Sequence, residues 1–379
     1  REEAIVVSRG LHSPWNMGEV VLARNITSIL IRLYDNVRVI STVDRVRGQV
    51  DVRRPETHGF QVEFCHSEQK LRRILISALN SSPKVDVHLL NAPILGYLST
   101  VRRSDAIYLY QFAYNICNRP SEIFRSLGAL PLTYLSKIRI ITTSFSSYLH
   151  LRKLFRQNYY YLPAPISTAA TTFTEKSTSF PQLRVIYLGH GSYLRFPYRT
   201  VTKSLLKLDE EGYNVQLRAY ISEQGYTDYV TYAKGFCSFA DKLDSKHIVR
   251  IYLGNLTEQE KCQVIYDSDV SLYVPMVNAA IDPPLVVLES MSLGRCVIAT
   301  PVQSIPHILG ENRGIVVGIQ NLEEDLYEAL RTLAEDPAIL KGYAMRSKKW
   351  VMEVHSMESV YERMKNILER IPRYDGCPS

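Results

Sequence analysis

Short apolar runs alternate along the whole chain with longer segments whose apolar residues recur at helical spacing. The runs Ala4–Ser8, Val37–Ser41, Val62–Cys65, Val85–Leu90, Ala106–Tyr110 and Ile138–Thr142 predict strands. Between the first two, residues 19–33 place Val20, Val21, Ala23, Ile26, Ile29, Leu30 and Leu33 on one side of a helix. Asn158–Leu162 closes this series, and residues 163–182 then turn polar and rich in Ser and Thr, the composition of a linker. A second series predicts strands at 183–189, 215–220, 249–253, 270–274 and 297–300. Helices are expected over 198–211, 226–242, 257–267, 322–335, 337–352 and 357–370, the last amphipathic through Val360, Met364, Ile367 and Leu368. Strand and helix in alternation is the pattern of α/β units with parallel sheets. It predicts a Rossmann-like domain over 1–165, a linker at 166–182 and a second such domain over 183–355. Residues 356–379 are expected to form a helix and tail able to cross back to the first domain.

Composition agrees with a globular protein: of 379 residues, 46% are hydrophobic and 22% charged. No apolar run reaches the roughly 18 residues of a membrane-spanning helix, and the opening residues read as a strand rather than a signal peptide. The six cysteines are scattered without metal-ligand spacing, which suits buried thiols in a reducing, cytoplasmic compartment. Charge is uneven. Residues 1–168 hold 22 Lys and Arg against 12 Asp and Glu, whereas the rest hold 23 against 26. The basic first half predicts an anionic partner there. Basic and apolar residues also mix at helical spacing in 70–76 and 148–156, and 124–130 is apolar with one charge. Such helices can lie on an anionic membrane face, or pack on a sheet with their charges in water.

The densest information lies in Ile281–Thr300. A loop leads to Pro283 and Pro284, a short helix follows, Gly294 stops it, and a buried strand begins near Val297. Proline suits a first helical turn, where its missing amide hydrogen would be orphaned anyway. Leu285, Val286, Leu288 and Met291 are expected to pack, leaving Glu289 as the helix's one charge. A helix N-terminus facing a cleft attracts anions, and a carboxylate one turn in can grip sugar hydroxyls. The same segment also fits an ordinary αβ unit with a surface Glu.

From Leu285 to Thr300 this segment resembles, almost position by position, the donor-site signature of family-four glycosyltransferases, which are retaining, use nucleotide sugars and have the GT-B fold. Other stretches resemble the family too. Tyr187–Arg195 is similar to its loop Y-x-G-R-x-x-x-x-K-G, with His190 at the Arg position, Arg195 at the Lys position and Phe196 in place of the closing Gly. Ser268–Pro275 is similar to A-D-V-x-x-x-P-S, with Asp269 expected to be structural. Gln303–His307 resembles G-G-x-P-E with His307 in place of Glu, and Arg313–Val317 resembles a late G-x-L-V segment. In the first half, Gly10–Gly18 resembles the glycine-bearing loop that lines the cleft, and Asp86–Pro93 resembles a strand-end D-V-V-H segment.

The resemblance implies two doubly wound Rossmann-like domains facing a central cleft. It implies donor-binding roles for Gly18, His190, Arg195, Leu285, Val286 and Glu289. Arg195 would neutralise the departing diphosphate; His190 would do so when protonated. Glu289 would hold the ribose. Asn91 and His12 are the candidate cleft residues on the acceptor side, while His88 is expected inside its strand. No metal and no cofactor is expected. The family is thought to let the leaving diphosphate deprotonate the acceptor, so no protein base is required.

The front of the signature departs from the family. Ile281 stands where the first Glu of a Glu-x7-Glu pair contacts the donor sugar, and Pro283–Pro284 stand for Phe-Gly. Two amide donors are thereby lost, leaving those of Leu285 and Val286. Asp282, one residue later, is the candidate replacement for the missing Glu. The expected activity is transfer of a hexose from a nucleotide sugar to a glycan or lipid-linked acceptor, with retention, in the cytoplasm or peripherally on the membrane face. A nucleotide-sugar 2-epimerase and a non-catalytic GT-B-like binding protein are the alternatives; a nucleic-acid partner is not expected, because no motif for one accompanies the basic half.

Overall fold

The apolar runs form two all-parallel sheets in a computed structural model. It describes residues 2–11, 18–42, 61–65, 67–81, 85–90, 106–112, 138–155, 158–167, 182–222, 229–243, 245, 247–278 and 281–369. The chain divides into two compact units: Arg1–Ser167 with Ala280–Asp282 and Met357–Ser379, and Thr168–Ala279 with Pro283–Ser356.

In the first unit the described elements are β1 (Glu3–Arg9), α1 (Gly18–Leu33), β2 (Asn36–Thr42), β3 (Val62–Cys65), α2 (Glu68–Ser81), β4 (Val85–Leu90), β5 (Ala106–Gln111), β6 (Ile138–Thr142), α3 (Phe145–Phe155) and β7 (Tyr159–Tyr161). The sheet order is β3-β2-β1-β4-β5-β6-β7, so the strand order reverses between β1 and β4. Ile5, Val7, Val87, Leu89, Ile107, Leu109 and Ile140 build its core with Leu71, Leu75 and Leu79 of α2 and Leu151 of α3. Leu71, Leu75 and Leu79 of one basic helix and Leu151 of the other thus pack on the sheet. Ile76 and Leu149 remain exposed, and the segment 124–130 lies outside the described residues. No helix among the described residues is long and apolar enough to cross a membrane.

His88 lies inside β4, fully buried. Its ring sits 2.9 Å from the Tyr110 hydroxyl and 3.0 Å from that of Tyr34, and it stacks on Tyr108 at 4.5 Å. That is a satisfied core histidine. The terminal helix, α11 (Met357–Glu369), packs on this unit. It buries Val360, Met364 and Leu368, and Arg32 of α1 bonds Glu358 at 2.9 Å and covers the Tyr361 ring at 4.2 Å.

The second unit runs β8 (Leu183–His190), α4 (Tyr198–Glu210), β9 (Val215–Ser222), α5 (Tyr229–Lys242), β10 (Val249–Leu253), α6 (Glu258–Tyr266), β11 (Val270–Tyr273), α7 (Leu285–Ser292), β12 (Cys296–Ala299), α8 (Ile305–Leu309), β13 (Ile315–Val316), α9 (Leu322–Glu335) and α10 (Pro337–His355). Its order, β10-β9-β8-β11-β12-β13, repeats the same winding and reverses between β8 and β11. Ligands of open α/β sheets bind outside the strands' carboxyl ends at such a reversal. Most element ends fall within a residue or two of the pattern-based expectation. The helix expected from 226 is described from Tyr229, and α10 runs three residues further than expected, to His355. Asp269 is structural: its carboxylate accepts the Arg184 guanidinium at 2.8 Å and the Arg184 backbone amide at 2.9 Å.

Candidate functional site

The reversal between β8 and β11 gathers several of the residues singled out by sequence. β8 extends one residue further than expected, so His190 is its last residue, half-buried, and the loop carrying Arg195 follows at once. The loop is tightly built. Arg195 and Phe196 amides both donate to Ser192 O at 2.9 Å. Tyr187 donates its hydroxyl to His190 O at 3.0 Å and stacks on buried Phe196 with ring centroids 3.9 Å apart. Gly189 is required here, because a Cβ would run into the Tyr187 hydroxyl. Phe196, where the family resemblance has Gly, is thus the floor of this loop.

Arg195 is half-buried, and its Nη1 is sealed from solvent without a hydrogen-bond partner among the described residues. A buried guanidinium nitrogen left unpaired is costly unless something accepts from it. An anionic oxygen at this loop would do so, bidentately if the fork is free.

The neighbouring strand leads to the second half of the site. The segment after β11 is tied to the loop after β8 by the Met276 amide, which donates to Leu194 O at 2.8 Å. α7 then starts at Leu285 with extended Pro284 as its N-cap and no side-chain cap. The Val287 amide donates to Pro284 O at 3.1 Å, so the amides of Leu285 and Val286 form the uncapped start of the helix. Leu285 is buried and Val286 half-buried. The helix closes as its sequence demands: Gly294 takes φ +67°, the left-handed conformation that suits glycine after a helix end.

Glu289 lies one turn in, and it is not a bare surface carboxylate. Its Oε1 is 2.8 Å from the Lys261 ammonium of α6, which also reaches Glu258 at 2.9 Å. Sequence reasoning missed Lys261. The only local signal is the i, i+3 spacing from Glu258 in a helix that opens with a capping box at Thr257 and Glu260; its partnership with Glu289 spans 28 residues.

Asp282 is placed elsewhere. It belongs with the first unit and is fully buried. Its carboxylate accepts a short hydrogen bond from the Ser144 hydroxyl. Its amide donates to Phe112 O and its carbonyl accepts from the Thr143 hydroxyl, both at 2.9 Å. The carboxylate expected to substitute for the missing Glu is thus bonded to Ser144 and closed to solvent. Ile281 beside it is half-buried. Gly18 begins α1 in the first unit. His12 and Asn91 lie outside the described residues.

Further along the chain, Gln303 occupies a glycine position of the resemblance and does take a glycine-like φ of +53°. His307 of α8 lies 6.2 Å from the Trp350 ring, which Arg313 covers at 4.4 Å. Burial first, and the Arg313 charge second, hold the His307 pKa below its usual value. A histidine depressed in the folded state costs stability once pH falls below its unfolded value, near 6.5. His307→Gln is therefore expected to lose less thermal stability than the wild type between pH 7 and pH 5, checked by paired melting curves.

Residues 239–336 match the family model described as "Glycosyl transferases group 1". No curated protein is significantly similar to the chain. Among solved structures, a glycosyltransferase from Rickettsia africae superimposes with a TM-score of 0.76 at 12% identity, covering 98% of this chain and 99% of its own. HepE from Anabaena, in complex with UDP-glucose, gives 0.70 at 12% identity, covering 97% and 99%. WaaG, a glycosyltransferase involved in lipopolysaccharide biosynthesis, gives 0.61 at 14% identity, covering 97% and 100%. The likeness establishes the fold: two Rossmann-like parallel-sheet halves of the GT-B type.

Proposed function

We propose that this chain is a retaining glycosyltransferase that moves a hexose from a nucleotide sugar to a glycan or lipid-linked acceptor. The observation that carries it is Arg195, whose buried Nη1 has no partner among the described residues, on a loop tied through Leu194 to the segment that follows β11; α7, further along that segment, starts uncapped and carries Glu289 one turn in. A nucleoside diphosphate needs these three things together. Its phosphates need fixed positive charge and backbone amides, and its ribose diol needs an acceptor. His190, at the strand end just before the same loop, adds charge when protonated. Because HepE is seen with UDP-glucose and WaaG acts in lipopolysaccharide biosynthesis, a uridine donor and a lipid-linked acceptor are the first to try. The basic first half and the helices at its surface suit an acceptor held at an anionic, cytoplasmic membrane face. The reaction would run without a metal, the leaving diphosphate taking the acceptor proton, with Gly18 in a donor-binding role and His12 and Asn91 as the acceptor-side residues that the family resemblance implies.

A second reading has its own support. The Ile281 side chain cannot accept a hydrogen bond and Asp282 is committed to Ser144, so neither of these two residues offers a free carboxylate in place of the family's sugar-gripping Glu. A nucleotide-sugar-binding protein without transfer fits that. Incubation with labelled UDP- and GDP-sugars, with and without lipid extract, separates the readings. Nucleotide release only with acceptor supports transfer; interconversion of the free nucleotide sugar would mean a 2-epimerase; binding without turnover supports the second reading. Glu289→Ala is expected to weaken nucleotide binding by about tenfold or more, the loss of one charge-assisted hydrogen bond. Unchanged affinity in calorimetry would remove Glu289 from the site.

A further inference from the structure

Lys261 stands on a helix that no motif singled out, yet it is the charged partner of the carboxylate on which nucleotide recognition would turn. The Lys261–Glu289 contact is the sheltered one. The two side chains are 18% and 13% exposed, against 43% for Glu258, the wetter partner of the same ammonium. Cys262 and Ile265 of α6 pack with Leu293 just after α7, and Leu188 of β8 lies against them. That small apolar cluster holds the two helices in register, so the ammonium meets Glu289 from a fixed direction. Burial by itself would favour a neutral amine, but the charges of Glu289 and Glu258 overcome it and raise the Lys261 pKa. The side chain is therefore a cation at neutral pH. A surface Lys–Glu pair would be worth little, but a sheltered one fixes orientation, because neither charge has an equally good alternative in water.

We propose that Lys261 is a positioning residue that aims Glu289, and that it thereby sets how strongly the site prefers nucleotides carrying ribose hydroxyls. This rests on the reading above that Glu289 meets the donor ribose. One oxygen of Glu289 is taken by the ammonium, which leaves the other to accept from the vicinal diol. The same ammonium cancels the charge that would otherwise repel an incoming diphosphate. Without it, Glu289 is free to change rotamer and to face water, and the diol loses a preorganised acceptor. A purely structural pair joining α6 to α7 would affect melting temperature but not discrimination between sugars of the nucleotide.

The test is calorimetric titration of the full chain with UDP, GDP and ADP and with their 2′,3′-dideoxy counterparts. Wild type, Lys261→Met and Lys261→Arg are compared, with melting curves alongside. The wild type is expected to prefer its ribonucleotide by about tenfold or more, and Lys261→Met to shrink that preference to about threefold or less. Lys261→Arg, which keeps the charge, is expected to restore most of it. Should Lys261→Met fail to fold, Lys261→Gln, of similar reach without the charge, takes its place with the same expected loss. If the neutral variant keeps the full preference, Lys261 is only structural and this inference is overturned while the role of Glu289 stands. If the wild type shows no preference for ribose hydroxyls, the role of Glu289 falls and this inference with it.

Discussion

Arg195→Ala is expected to lower kcat/KM about 100- to 1,000-fold, the effect of removing one group that stabilises charge developing in a transition state. A diphosphate leaves with more negative charge than it carried in the donor, so the guanidinium matters more as the bond breaks than in the ground state. Ground-state nucleotide binding should therefore weaken by less than the rate falls. The fold should survive. The backbone of the loop is held by Ser192 O and by the Tyr187–Phe196 stack, while Arg195 Nη1 makes no hydrogen bond among the described residues. Arg195→Lys should recover only part of the activity, because an ammonium is a point charge and cannot grip two oxygens in one plane. Steady-state kinetics with the donor identified by the sugar panel gives the answer. Activity of Arg195→Ala within about threefold of wild type, less than 1 kcal/mol, would mean the leaving phosphate is stabilised elsewhere.

Asp282→Ala is expected to reduce unfolding free energy by about 1–3 kcal/mol, seen as a lower urea midpoint. The carboxylate is fully buried and accepts from Ser144, whose own oxygen also receives the Ser147 amide at 3.0 Å. Truncation leaves the Ser144 hydroxyl buried with its partner gone. Asp282→Asn, which keeps an acceptor oxygen, should cost less than the alanine. An unchanged midpoint for Asp282→Ala would show that water replaces the carboxylate, and with it that this segment is open to solvent. The two substitutions are also opposites in what they report: Arg195 is expected to change rate with little effect on stability, Asp282 the reverse.

Much of the architecture was legible in one dimension. Buried parallel strands are short and apolar, so Val85–Leu90, Ile138–Thr142 and Val249–Leu253 appear in the structure with the ends their composition marks. Helix periodicity did the same for residues 322–335. The site was legible where chemistry is local: a cation a few residues past a strand end, a Pro-led helix, a carboxylate one turn in. It was illegible where partners are distant in sequence. Nothing near Asp282 says that Ser144 waits for it, and nothing near Glu289 points to Lys261.

The sequence alone therefore determined the alternation of strand and helix, the glycine that ends α7, and the residue types offered at the nucleotide corner. These follow from periodicity, backbone conformation and side-chain chemistry, which act over a few residues. Only the tertiary structure decided what each charge does: Arg195 keeps a nitrogen unpaired among the described residues, Glu289 is held by Lys261, and Asp282 is sealed within the first unit. Whether a carboxylate is free or committed depends on desolvation and on a partner's distance, and the fold sets both by bringing together residues far apart in the chain.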